Sequence, residues 1–378
     1  MRKVDILVIG GGIAGLSTAY YLAKAGQNSV LVLEQEKKLG GHASGRNAGM
    51  LRQALSDPLL AELAVRSRKV FDRASKRGWN KLNLQSNGSL FLSKNQDGQA
   101  LENIASTIRM LGLKPSLVSK TSAVKKSPVL RQGNFDLALF CPTDATLDID
   151  ALLRGFLRNL KIAGVRVQRG EKLKAVHPAD GGFLVHAGAK KWFCKKVVNA
   201  AGAWASWVGD KAGATPVPLA AYRRHLFFTK PDSVIRSRWP FVWDLSHDFY
   251  FRPLGRTIML SPCDKTPEAL GDRREKVNPE MRGVLYEKLK TFSGSLADLC
   301  VERAQSGLRT MAPDGRFVLG EDAKLKNFYW VAALGGHGVT TCFSVGELSA
   351  DMILGKRVDP CFEKALSPAR FSEVFHAA

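Results

Sequence analysis

One stretch constrains this chain more than any other: "DILVIGGGIAGLSTAYYLAKAGQNSVLVLEQE", from Asp5 to Glu36. Val4 to Ile9 is apolar apart from Asp5, Gly10 to Gly15 reads as a turn, and "IAGLSTAYYLAKAG" has helical periodicity that Gly26 closes as a C-terminal cap. Val30 to Leu33 is a second buried strand, ended by Glu34. Strand, glycine turn, helix, strand and acid in that order form a βαβ unit, which predicts a seat for the phosphates of an adenine dinucleotide. Gly10 permits the tight turn, Gly12 lets backbone N–H groups approach a pyrophosphate, and Gly15, after Ile13 and Ala14, lets the helix pack on the strand. Glu34 stands where a carboxylate accepts hydrogen bonds from ribose hydroxyls and would repel the 2′-phosphate of NADP. The unit alone leaves NAD and FAD both open.

Residues elsewhere in the chain bear on that choice. A chain of 378 residues exceeds one core, so two interlocked domains are expected. An NAD domain would continue through further βα repeats. Here the second strand leads instead into "KKLGGHASGRNAGMLRQ", with a helix after it near Asp57 to Lys76. The small residues Gly41, Ala43, Ser44, Gly45, Ala48 and Gly49 let the chain lie against a large flat cofactor. Ser44, Arg46 and Asn47 offer donors to phosphate or ring oxygens. "VVNAAGAWA" is a strand followed by a small-residue turn, placing Ala201, Gly202 and Trp204 beside the same groove. "FYWVAALGGHGVTTCF" repeats that pattern, with Gly335, Gly336, His337, Gly338, Val339 and Thr340 just ahead of a helix whose N-terminus would stabilise negative charge on a reduced ring.

Composition narrows the class without naming it. The net charge of +22 attracts anions of every kind, but the Lys and Arg residues are spread in short pairs and read as solvated surface. No RNA-binding motif accompanies them, so nucleic acid is not an expected partner. The six cysteines show no C-x-x-C pair and no histidine cluster at zinc spacing, which suits free thiols in a reducing cytoplasm and predicts no metal. No apolar run is long enough to span a bilayer, while attachment to a membrane surface stays open.

In order along the chain, "VIGGGIAG", "GHASGRNAG", "PVLRQ", "DATLDIDALLRGFLR", "VVNAAGAWA", "DFYFRP", "GLRTMAPDG" and "FYWVAALGGHGV" resemble the D-amino acid oxidase (DAO) family of FAD oxidoreductases. That group includes glycine oxidase, sarcosine oxidase and bacterial D-amino acid dehydrogenases, of which the D-arginine type is nearest in pattern. The resemblance implies an α/β fold with a Rossmann-like, GR2-type FAD-binding domain from residues 1–85, 143–219 and 306–378. A sheet-rich α+β substrate domain would come from 86–142 and 220–305.

The resemblance also implies hydride transfer to FAD from the carbon next to an amine, in a small-molecule carboxylate substrate. By position, Arg309 and Tyr250 match residues that hold the substrate carboxylate, a task suited to the guanidinium fork. Arg223 or Arg224 is a further anchor, with one of the pair expected in solvent. His337 would touch substrate or cofactor; Arg46 and Arg52 are open between pairing with a phosphate and pairing with a surface acid. Three departures matter. Thr310 and Met311 stand where sarcosine-type oxidases tether FAD through a cysteine, so FAD is expected to be noncovalent. Met259 stands where they place a lysine that helps oxygen react, which favours a dehydrogenase using a quinone or other acceptor over oxygen. Ser89 or Gly88 replaces the acid that selects cationic D-amino acids, so neutral, secondary-amine or anionic substrates gain. The alternative is a flavin dehydrogenase of 2-hydroxy acids or glycerol phosphate, with His337 as the general base.

Overall fold

The computed structural model describes residues 1–76, 79, 82–269 and 277–375. Its strands gather into two large sheets and a two-stranded ribbon. The first sheet grows from the N-terminal unit: Arg2–Ile9 lies between Val30–Glu34 and Lys190–Asn199, with Arg166–Arg169 and Phe328–Ala332 beyond them, all parallel. Every residue of Val30–Glu34 is buried, as expected for a parallel strand covered on both faces. Val318–Glu321 adds an antiparallel edge, and the hairpin Leu173–Ala179 with Gly182–Ala187 pairs against Lys190–Asn199.

The first helix, Ile13–Lys24, ends as the sequence predicts. Gly26 takes φ +86° just beyond it, and Gln27 N–H returns to the Leu22 carbonyl. One face of this helix meets Cys342–Ile353 so closely that a Cβ on Gly346 would stand 2.7 Å from the Ser17 backbone. The glycine turn near residue 335 and the phosphate-binding turn are thereby held by two helices in backbone contact.

The second sheet takes its strands from Ser89–Ser93, Ser116–Val118, Leu137–Cys141 and the stretch between Ala220 and Met311. Val301–Met311 is one continuous strand, paired antiparallel with Ala220–Thr229 from end to end, so the boundary expected between residues 305 and 306 falls inside it. Cutting the ladder there would leave buried N–H and C=O groups without partners. The period of two then sorts side chains. Tyr222, Arg224, Leu226 and Phe228 share one face, and Arg309, directly opposite Tyr222, shares it with them. Leu226 and Phe228 pack there with Ala48, Tyr250 and Met259.

Candidate active site

Two adjoining hollows lie between the sheets. The first, about 380 Å³, is lined by Gly10, Gly12, Glu34, Gly41, Ser44, Ala201, Gly202 and Trp204 among the residues expected from the sequence. Gly10 takes φ +114°, and a Cβ there would come within 2.3 Å of the Ala200 carbonyl oxygen. At Gly15 the added carbon would sit 2.0 Å from the Gly10 oxygen, so both positions require glycine for space. The helix starts at an extended Gly12 with no side-chain cap, and Ser44 Oγ accepts the N–H of Ile13 at 2.9 Å. A helix start whose N-cap residue brings no side chain, facing an open groove, is the seat a pyrophosphate requires.

Glu34 is fixed by two backbone donors, Gly11 N–H to Oε2 at 2.7 Å and Glu36 N–H to Oε1 at 2.8 Å. Burial raises its carboxyl above the usual range, against the pull of those two hydrogen bonds. Each oxygen keeps a lone pair for a hydroxyl in the groove. His42 closes one wall, its ring 4.5 Å from that of Trp204. Sequence reasoning missed this wall and the opposite one, Glu171 to Leu173. Arg166–Arg169 pairs in parallel with Leu31–Glu34, and its continuation therefore runs beside the acid, with Glu171 N–H on the Glu34 carbonyl. The residues present thus fit an adenine dinucleotide.

The second hollow, about 220 Å³, is built from some of the same segments as the first. The loop after the second strand lends Gly40 to Ser44 to one and Asn47, Ala48, Met50 and Arg52 to the other; the strand Val301–Met311 lends Leu308 to one and Arg309 and Met311 to the other. Of the remaining expected residues, Arg223, Arg224, Gly336, His337 and Thr340 line it. Tyr250 lies just behind, its hydroxyl accepting from Arg309 Nη2 at 3.4 Å. Ile13, Ala14, Gly15, Gly45, Arg46, Gly49, Gly335, Gly338 and Val339 line neither hollow. Several of them brace the loops: Arg46 donates to the carbonyls of Gly41 and Ser306, and Gly49 lies against Arg252.

Two expectations are corrected. Neither Arg223 nor Arg224 is solvated; each is 7% exposed. They point to opposite faces of one strand. Both line the cavity, but Arg223 is clamped by Glu268 through Nε and Nη2 and by Ser306 Oγ, whereas Arg224 keeps a buried Nη1 with no partner among the described residues. The helix after the far glycine turn does not begin at the cavity either. It starts at Cys342, and Ser344 N–H donates to Ser67 Oγ, so what faces the cavity is the preceding turn with Gly336, His337 and Thr340.

The electrostatics are one-sided. Arg309 is deep in the molecule but partly open because the cavity reaches it; burial and the neighbouring Arg224 lower its pKa, against the pull of Tyr250 and Cys263. Arg52 lies 4.2 Å over the Trp243 ring, and burial lowers it to about 10. Burial, then Arg52 and Arg309, hold the His337 imidazole well below its usual value, so it is neutral at physiological pH. An acid at the head of "DATLDIDALLRGFLR", to which the sequence alone assigns no role, also lies nearby. Asp144 is fully buried, accepts from Ser89 Oγ at 2.7 Å and Gln53 N–H at 2.7 Å, and is pushed up to about 6 by burial. It reaches the strand position where the sequence has serine from a different strand end, which only the folded chain brings about.

A dinucleotide groove and a cationic, histidine-bearing cavity built from the same loop and strand fit a flavoprotein oxidoreductase site. The sequence model described as DAO, FAD dependent oxidoreductase, matches residues 5–352, and the chain belongs to that FAD-binding family. It is 22% identical over 93% of its length to the mitochondrial pyruvate dehydrogenase phosphatase regulatory subunit of Mus musculus. To mitochondrial sarcosine dehydrogenase of the same organism it is 24% identical, also over 93%. It spans only 41% and 40% of those two proteins. Its fold superposes on L-proline dehydrogenase from P. horikoshii with a TM-score of 0.89, covering 99% of each chain at 23% identity.

Proposed function

We propose that this protein oxidises the carbon–nitrogen bond of an amino acid, either a D-amino acid or one with a substituted nitrogen, and passes the electrons to an acceptor other than oxygen. The observation that carries this reading is the grouping at the second cavity. Arg309, supported by the Tyr250 hydroxyl, offers a fork for a carboxylate, and Gly336, packed directly against that guanidinium, and neutral His337 line the same cavity. Bound FAD, held by Gly10, Gly12, Ser44 and Glu34, supplies the two-electron acceptor. The chain's own residues orient the substrate: the carboxylate on Arg309 fixes the α-carbon, and the buried walls exclude water. The amine loses its proton, the α-carbon loses hydride, and the resulting imine is hydrolysed to a carbonyl compound and an amine. Sarcosine and proline, named in two of the similar proteins, are both secondary-amine amino acids, which supports the substituted-nitrogen branch.

Met259 supports the dehydrogenase branch. It packs among Ala48, Phe228 and Tyr250, so the strand offers an apolar group toward the site. Its cross-strand neighbour Arg252 spends Nη1 on the Gly49 carbonyl. The hydroxy-acid alternative draws on one observation, the neutral His337 in a cationic cavity, which suits a general base. Anaerobic single turnover separates the two. The amine reading predicts one imine, or the carbonyl and amine groups its hydrolysis gives, per flavin reduced; flavin reduction by a hydroxy acid and by no amine overturns it.

A further inference from the structure

The cavity holds more positive charge than one carboxylate can answer. Arg224 is 8% exposed, and its Nε donates to the Asp264 backbone carbonyl at 2.7 Å. Its Nη1 is buried and has no hydrogen-bond partner among the described residues, although the side chain lines the cavity. A buried guanidinium N–H left unpaired is costly, and its natural complement is an anion.

The lining answers Arg224 only in part. Asp264, the lining's only carboxylate among the described residues, stands 3.9 Å from Arg224 Nε through Oδ1, is not paired with Nη1, and is shared with His225: His225 Nδ1 lies 2.7 Å from Oδ2, and the His225 backbone N–H donates to Oδ1 at 2.9 Å. Asn278 N–H donates to His225 Nε2, which fixes the neutral tautomer with its proton on Nδ1, aimed at Asp264. Around the same space stand Arg309, Arg52 and, exposed at the edge, Lys265. Arg224 and Arg309 occupy diagonal positions on one face of a strand pair, since Arg309 faces Tyr222 and Arg224 lies two residues further on. Such positions begin about 7–8 Å apart. Their guanidinium groups reach into one small cavity, which is a span for a compact dicarboxylate.

We propose that the cavity takes an amino acid bearing two carboxylates, one on Arg309 and Tyr250 and the second on Arg224, so that Arg224 selects the substrate within the amine-oxidation reading on which this inference rests. A monocarboxylate amino acid leaves the Arg224 Nη1 unanswered. A cationic side chain would meet three guanidinium groups.

The test is binding by ligands that cannot react, followed through the visible spectrum of the flavin in the holoprotein. Malonate and succinate are expected to bind roughly 10- to 100-fold more tightly than acetate and propionate, the gain of a buried charge-assisted hydrogen-bonded pair. In Arg224→Met that ratio is expected to collapse toward one, and Arg224→Lys is expected to restore part of it. Equal affinities in the native protein, or a ratio unchanged in Arg224→Met with the flavin spectrum intact, overturn the proposal. Anaerobic mixing with N-methylaspartate and sarcosine completes it, with faster flavin reduction expected from N-methylaspartate and the reverse order counting against it. If the dicarboxylate preference persists but no amine ever reduces the flavin, the second anion site stands and the amine reading falls instead.

Discussion

At the level of single residues, the proposed function turns on Arg309, Tyr250 and His337. Arg309→Met removes the carboxylate fork, and kcat/KM is expected to fall roughly 100- to 1,000-fold, the range for losing one member of a buried charge-assisted pair. Tyr250→Phe removes a single neutral hydrogen bond to that guanidinium and should cost about tenfold, read in the same steady-state assay. His337 predicts a pH effect. The unfolded chain titrates near 6.5, while burial, Arg52 and Arg309 hold the folded imidazole well below that. As pH falls through about 6.5 the unfolded state therefore binds the extra proton and the native state does not, so stability is full above that pH and declines below it. Denaturant melts of His337→Gln should show a shallower loss between about pH 7 and 5 than the native protein; an identical slope contradicts the assignment. Arg309, Tyr250 and His337 are readable from "GLRTM", "DFYFRP" and "GGHGV". Asp144 is not, because it meets Ser89 and Gln53 only through folding.

The same contrast holds for whole elements. The first βαβ unit announces itself because turn, helix and acid are local, and the glycines carry their own reason in the 2.0 and 2.3 Å approaches that a Cβ would make. Contacts between distant elements carry no such signal. Nothing in "CFSVGELSADMI" shows that Gly346 rides on the Ser17 backbone, and nothing near residue 171 shows that it returns to Glu34. Gly15→Ala is expected to yield protein depleted of FAD, since the helix start must back away from the Gly10 carbonyl. Gly346→Ala disturbs helix packing instead and should lower stability by about 1–3 kcal/mol, the usual consequence of overpacking, while a larger share of FAD is retained. Thermal melts and the ratio of flavin to protein absorbance check both. Register explains a further miss. Which of Arg223 and Arg224 shares a strand face with Arg309 depends on register, and the pairing of Tyr222 with Arg309 decides that.

For the whole molecule, the sequence foretells two sheet systems around one cofactor but places a boundary inside the strand Val301–Met311. That strand carries Leu308 to the dinucleotide groove and Arg309 to the substrate cavity, so it joins the two. The charge of +22 is legible as a total, while its concentration in Arg52, Arg224 and Arg309 around one hollow is not. Among the described residues no helix is long and apolar enough to cross a membrane. Thr310 and Met311 beside the site predict noncovalent FAD: acid precipitation should leave all yellow colour in the supernatant, and colour in the pellet contradicts it. Because FAD binds the folded state, adding it should raise Tm in step with its free concentration. The most direct test of amine oxidation is anaerobic mixing of the holoprotein with D-amino acids, N-substituted amino acids and 2-hydroxy acids, reading the bleaching of the flavin band. Bleaching by amines is the predicted result, and bleaching by hydroxy acids alone would contradict it.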